Sequence, residues 1–460
     1  MSILPNLQAV GAPITQVHLP FLTQVVPERL VDDALDKHHA QECRRRKLSA
    51  RAIVWLIIAM HLYCQTPLPQ VFEKLCAQWC NTESSKQRKC PQPSALVYRR
   101  YQIGARPLHT LFGWVCRPLA GPQTRGAFLF GLRLMAIDGQ VLSMADTPKN
   151  EEYFGRGGTD RGQSAFPQGR AVYLSECGTH AIVDAGLWPY NTSEHVGARR
   201  MLRSVSKGMI VMWDRGLHSF DQIATASQRG AHVLCRIAKH LRPSQLTVLR
   251  DGSRLVRLYP SDPERRKCGE YLDVRLIEYT IASETSDSPE TYRLLTSLLD
   301  PDLYPAKDLA CAYHERWEIE AVADEIETHQ CGSQPVLRSH KPVGVLQEFY
   351  GLLIAHYVVR LWMHEAALGQ ELDPDRMSFT SALRLLGEMS LAFAVVPRKL
   401  WPELCCTILQ CLARHRLPKR RRRSCPRVVK RKMSNFPLKR QEHRGINTKA
   451  KPIQEALCLI

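Results

Sequence analysis

The sequence predicts an α/β protein with helical regions at both ends, a strand-rich middle and a basic tail. Three observations predict this. Apolar residues recur at helical spacing through residues 20–120 and again after 335. Short apolar stretches with strand character occupy much of 131–300. Lys and Arg crowd the last stretch. At 460 residues and 44% hydrophobic content, the chain has room for two or three domains and a sizeable core.

The elements follow in order. VPERLVDDALDKH, RRRKLSARAIVWLIIAMHLYC and LPQVFEKLCAQWC read as helices. SALVYRRYQIGARPLHTLFGWVC opens with a Ser cap and sets Arg99 and Arg100 early in a helix. A helix-turn-helix unit presenting both arginines to DNA fits this N-terminal domain, 1–125, and so does a plain helical bundle. From 131 the period falls to two. In GLRLMAIDG, Leu132, Leu134, Ala136 and Asp138 share one side, and Arg133, Met135 and Ile137 the other. RAVYLSEC and THAIVDAGLWP are two further strands, TSEHVGARRMLRSV a capped helix, and GMIVMWDRG a short strand ending in Asp214. The Gly-rich stretch 155–164 lacks both the strand-to-helix context and the Lys-Ser/Thr ending of a phosphate-binding loop.

A strand with a carboxylate, two strands, a helix, a strand with a carboxylate and a later helix with a carboxylate is the order of ribonuclease-H-like folds. It predicts a catalytic core whose first part spans 126–240. SRLVRLYP, YLDVRLIEYTI and TYRLLTSLLD, with turns at DGS and SDPERRKCG, predict a β-rich insertion at 241–305. Residues 306–413 complete the core and supply the C-terminal helices. The tail is 414–460.

The later helix is AYHERWEIEAVADEIETH, 312–329. At 100° per residue, Tyr313, Arg316, Trp317, Glu320, Asp324 and Glu327 share one face. Ile319, Val322, Ala323 and Ile326 form the opposite, core-facing stripe. A solvated surface accounts for the charges, but a large indole on a polar face asks for a further reason.

The formal net charge is +19. Between Arg414 and Ile460 stand 16 Lys and Arg against two Glu, so the tail holds +14 of it. That density points to a polyanion. The 16 Cys are scattered with no CxxC pair and no leading signal peptide, which predicts a reduced, cytoplasmic protein. Cys76, Cys80 and Cys90 fit no common zinc spacing and read as buried thiols. AIVWLIIAM is too short to span a bilayer, and Gln347, Glu348, His356 and Arg360 interrupt the later apolar stretch, so both read as core helices and no membrane is expected.

Asp138, Asp214 and Glu320 have the chemistry for paired divalent ions, because hard cations take oxygen ligands. One ion lowers the pKa of a water or 3′-hydroxyl and the other stabilises the leaving oxygen at phosphorus, so no acid–base His is needed.

AIDG, DTPKNEEYFGR, AFPQ, ECGTHAIVDA, WDRGLHSF, YHERWEIE and VLRSHKPVGVLQEFYGLLIAHYVVR together resemble a DDE transposase of bacterial insertion sequences, of the insertion-sequence 4 type. RVVKRKMSNFPLKR resembles the family's basic C-terminal segment, and the N-terminal helices its N-terminal domain. The resemblance covers nearly the whole chain. It implies that Asp138, Asp214 and Glu320 are the catalytic metal ligands for two Mg²⁺, with Mn²⁺ also admissible. It implies that Tyr313 and Arg316 hold a phosphate near the cleavage site. Trp317 either stacks on an unpaired base or packs. Arg215 and His218 follow the second acid, where they reach the scissile phosphate or, for His218, hold the loop. The partners implied are transposon ends and target DNA, engaged by a homodimer, in bacterial cytoplasm at the nucleoid. Family members often pass through a hairpin at the transposon end.

One position departs. The signature on the third acid's helix is Tyr, two residues, Arg, three residues, Glu, six residues, Lys. Here Glu327 stands at the last position. Arg338 or Lys341 is a candidate compensation. The alternative function is a catalytically impaired DNA-binding relic or a repressor of the same element. A structure-selective nuclease is a second rival, and the insertion between the second and third acids argues against it.

Overall fold

The computed structural model describes residues 20–41, 48–64, 66–75, 91–159, 162–281, 291–332, 337–418 and 453–460, with the short pairs 423–424, 429–430, 437–438 and 448–449. Cys76, Cys80 and Cys90 lie outside the described residues, as does most of RVVKRKMSNFPLKR. The chain forms two compact units, one of Met1–Val205 with Trp317–Arg416, the other of Ser206–Arg316 with Leu417–Ile460. It is a mixed α/β protein.

In the first unit the helix Ala50–Ala59 starts at Ser49, whose hydroxyl accepts from the Ala52 amide at 3.2 Å. Ala52 through Ala59 are all buried, as expected of a helix apolar on every side. It packs on the long helix Pro342–Leu368. The two backbones approach closely at Gly351, where a Cβ would stand 2.7 Å from Ile57 Cγ2 and 3.0 Å from the Ile57 carbonyl oxygen. By length and composition Pro342–Leu368 is apolar enough to cross a membrane, yet it is the core of this unit, and Gln347, Glu348, His356 and Arg360 find polar partners there. Gln347 donates to the Arg100 and Gly104 carbonyls at 2.6 and 2.7 Å, which caps the end of the helix Pro93–Ile103. Glu348 accepts from Ser339 and Arg100.

Three antiparallel strands complete this unit: β1 (Leu132–Ser143), β2 (Gln168–Glu176) and β3 (Ile182–Pro189). Asp138 lies opposite Tyr173, which lies opposite Ala185. Leu134 to Ile137 are buried on both faces of β1, so the predicted alternation marks direction but not a wet and a dry side.

The second unit holds β4 (Met209–Trp213) and β5 (His232–Arg236), parallel and joined through the helix Phe220–Gln228. The predicted β-rich stretch is an antiparallel meander of β6 (Ser244–Val248), β7 (Arg254–Leu258), β8 (Leu272–Ile281) and β9 (Thr291–Thr296). Arg257 grips Asp273 bidentately at 2.7 and 2.8 Å across its strand pair. At the DGS turn Asp251 accepts from Ser253, and Gly252 takes the positive φ of +83° that the turn needs. SDPERRKCG is more than a turn: Asp262 caps a short helix, Pro263–Lys267. A last strand, β10 (Leu457–Leu459), pairs with β8 through Tyr279 and Leu459.

Candidate active site

Asp138 sits half-buried near the middle of β1, where its Oδ1 accepts from the Gly139 amide at 2.9 Å. A Cβ on that glycine would fall 2.2 Å from Glu194 Oε1, so the Glu194 carboxylate lies directly over the backbone beside Asp138. Glu194 opens the helix Glu194–Met201 and stands 3.9 Å from Arg170.

The predicted third-acid helix is not uniform. Ala306–Glu315 is one α-helix, and Arg316 ends it. Trp317–Asp324 is a second α-helix, and Glu325–Cys331 winds on as a π-helical turn. Ile319, Val322 and Ile326 are buried as the stripe predicts. Glu320 is exposed. Trp317–Asp324 packs against β1, so one unit carries the first and third acids on touching elements. Gln140, two residues beyond Asp138, donates to Glu327 Oε2 at 2.8 Å. The side chain of Trp317 lies outside the described residues.

The π turn is anchored by a cluster that sequence reasoning missed. Glu325 is buried and accepts from Arg360 Nε at 2.9 Å and from His356 Nε2 at 2.9 Å. His180 Nδ1 lies 3.1 Å from the same carboxylate, and His180 Nε2 lies 3.1 Å from Asp375. Burial holds the His356 imidazole down to about 3, so it is neutral and donates its Nε2–H. The signal was available: His356 and Arg360 are one turn apart on an otherwise apolar helix, and such a pair needs an anionic partner inside.

The second acid lies in the other unit. Asp214 ends β4 and accepts from the Arg215 amide at 2.6 Å, the same turn-back that Asp138 makes. Arg215 is exposed. His218 Nδ1 is 3.9 Å from Cys235 Sγ on β5. Tyr313 and Arg316 belong to this unit and are buried, 5% and 7% exposed. The Tyr313 hydroxyl donates toward the Trp213 carbonyl at 3.5 Å, next to Asp214, and the Arg316 guanidinium lies 5.9 Å from the Tyr313 ring. Burial pushes the Tyr313 phenol well up, Arg316 opposes it and the Asp214 carboxylate adds to it. Both side chains, expected to hold a phosphate, lie beside the strand end that bears Asp214.

Arg100, expected to contact DNA or to belong to a plain helical bundle, points inward. It is 5% exposed, with Nη2 3.1 Å from Ser339 Oγ and 3.4 Å from Glu348. Its helix turns Leu96, Arg100 and Ile103 inward together. Arg99 is half-buried and donates to Gln102 at 3.0 Å. Lys341 lies 4.6 Å over the Tyr101 ring, and the Arg338 amide donates to Glu348 at 2.7 Å; neither contact involves Glu327.

A divalent ion suits this donor set chemically, since all three acids offer hard carboxylate oxygens. Among the described residues no three His, Cys, Asp or Glu side chains converge closely enough to enclose one.

Comparison with known proteins shows the family. Residues 16–113 match the family described as insertion element 4 transposase N-terminal, and residues 129–358, half of the chain, match the transposase DDE domain. The chain is 27% identical over 427 residues to transposase InsG for insertion sequence element IS4 of Escherichia coli (strain K12), covering 91% of this chain and 93% of that one. It is 30% identical over 196 residues to the putative transposase InsZ of the same organism, covering 41% of this chain and 61% of that one. The solved piggyBac transposase synaptic complex with hairpin DNA covers 89% of this chain and 85% of its own at a TM-score of 0.43 and 12% identity, too loose a likeness to argue from. The chain belongs to the DDE transposase family, a class of metal-dependent enzymes that cut and join DNA.

Proposed function

We propose that this protein binds the terminal inverted repeats of its own insertion sequence, cuts them and joins their 3′-hydroxyls to target DNA. The observation that carries the proposal is the packing of the helix bearing exposed Glu320 on the strand bearing Asp138. A ribonuclease-H-like core, built from β1 to β5 and this helix, is the architecture proposed, with β6 to β9 as the insertion.

Asp138, Asp214 and Glu320 would hold two Mg²⁺, or Mn²⁺. Ions there supply an activated water or 3′-hydroxyl and stabilise the departing oxygen at phosphorus. The chain's own residues bind and orient. Asp138 and Asp214 are each held by the amide that follows, which fixes the rotation of the carboxylate. Tyr313 and Arg316 support the Asp214 end of β4 from behind. Exposed Arg215 is the candidate scissile-phosphate contact, with Trp317 and Arg99 as further DNA contacts, and His218 fixes the Asp214 loop. The basic tail tracks the DNA backbone. Two ends are paired by a homodimer in the bacterial cytoplasm, at the nucleoid.

The test is cleavage of labelled DNA carrying the element's end, with Mg²⁺ or Mn²⁺. The unaltered protein is expected to cut and join, and Asp138→Ala, Asp214→Asn and Glu320→Gln to bind without cutting. Cleavage that survives all three would sink the assignment. Cleavage by Glu327→Lys alone would make this chain an impaired copy, which is the second reading that the departure at Glu327 favours.

A further inference from the structure

In an uninterrupted α-helix, a residue seven positions after Glu320 returns to nearly the same face. Glu327 does not. The helix gives way to a π turn at Glu325, which winds more slowly and so lags in rotation. Glu320 is exposed while Glu327 is half-buried, with its carboxylate on the Gln140 amide at 2.8 Å. Gln140 lies on β1 two residues from Asp138, hence on the same side of that strand. Glu325, two residues before Glu327, is held to the long helix Pro342–Leu368 by Arg360 and His356. The segment is thus pinned on two sides, to the core helix through Glu325 and to the first acid's strand through Glu327.

We infer that Glu327 is a positioning residue: by accepting from Gln140 it ties the third acid's helix to the first acid's strand and sets the placement of the Asp138 and Glu320 carboxylates. This rests on the proposed assignment of those acids. It also gives the departure from Lys a physical content. The carboxylate at this position is directed at a neutral donor within the same unit.

The experiment uses the full chain with Glu327→Leu, Gln140→Leu, the double variant and Glu327→Gln. Thermal unfolding first establishes that each is folded. Mn²⁺ binding is read by electron paramagnetic resonance, and binding to the element's end by gel shift without divalent metal. Each Leu variant is expected to weaken Mn²⁺ binding roughly tenfold, as losses of supporting partners around metal ligands do. The double variant is expected to be no worse than either single, because the pair acts as one unit. Glu327→Gln keeps an acceptor for Gln140 and is expected to recover most of the loss, with end binding equal across the series. Additive losses overturn the inference. So does unchanged Mn²⁺ binding with altered end binding, or faster cleavage by Glu327→Lys, since either makes position 327 a DNA contact. Asp138→Ala separates the two levels: if it keeps Mn²⁺ binding and cleavage, the acid assignment itself fails whatever Glu327 does.

Discussion

Arg360 donates from Nε to Glu325 Oε2 at 2.9 Å, and both side chains are buried. Taking two charges out of water is expensive, and the pair offsets it only while both members and their hydrogen bonds are intact. Arg360→Met therefore leaves Glu325 in the core without its cation and is expected to cost about 3–5 kcal/mol. Urea unfolding followed by circular dichroism measures it. The double variant Arg360→Met with Glu325→Leu is expected to regain much of the loss, and an equal or larger loss in the double variant contradicts this account.

A backbone approach rather than a charge governs the helix crossing at Gly351. A Cβ there meets Ile57 at 2.7 Å and the Ile57 carbonyl at 3.0 Å, and a carbonyl in mid-helix cannot swing aside. Gly351→Ala is expected to destabilise by about 1–3 kcal/mol despite the better helix propensity of alanine. Gly113, with open space around its position, is the control, and there the same change is expected to be neutral or mildly stabilising.

Buried histidines set an acid limit. Burial lowers His356 to about 3 and His61 to about 4, below the ordinary 6.5. As pH falls below 6.5 the unfolded chain takes up protons that the folded chain does not, so stability is lost progressively between about pH 6.5 and pH 4. Each such group contributes at most about 1.4 kcal/mol per pH unit. Urea midpoints measured from pH 7 to 4.5 should fall steadily. His356→Gln, whose amide can still donate to Glu325, should flatten that slope by up to one proton.

Arg100 and Arg99 are neighbours with opposite expected phenotypes. Arg100→Ala strips a buried carboxylate, Glu348, of its cation and is expected to lower stability by about 3 kcal/mol or more. End binding per folded molecule should not change. Arg99→Ala is expected to leave stability within about 0.5 kcal/mol and, if Arg99 reaches phosphate, to weaken end binding and lower its salt dependence. Gel shifts over a salt series, read beside unfolding curves, separate the two.

Most strands and helices were legible because their signal is local. Four apolar residues leading to Asp138, and five leading to Asp214, announce buried strands that carry carboxylates, although the strand of Asp138 runs on to Ser143. The stripe of Ile319, Val322 and Ile326 gave the correct buried face of the third-acid helix. What escaped depends on partners distant in sequence. Helical phase alone places Tyr313 and Arg316 on the polar face of Glu320, but the α-helix ends at Arg316 and the two side chains are buried near Trp213. The π turn at Glu325 has no propensity signature; buried partners at His180, His356 and Arg360 hold it. Strand β10 comes from the tail, whose charge hid its apolar end, Leu457–Leu459. The burial of Arg100 was readable: its spacing from Leu96 and Ile103 places it on the apolar stripe of its helix.

The sealing of Ala50–Ala59 against Pro342–Leu368 has a consequence for synthesis. The most apolar helix near the N-terminus waits about 300 residues for the surface that covers it. At ribosomal speeds of roughly 5–20 residues per second, that is a delay of roughly 15–60 seconds. During that interval ARAIVWLIIA is an uncovered hydrophobic segment on a nascent chain, open to chaperones and to other nascent copies nearby. The yield of active protein should then depend on translation rate and chaperone supply, as well as on the equilibrium stability of the finished fold.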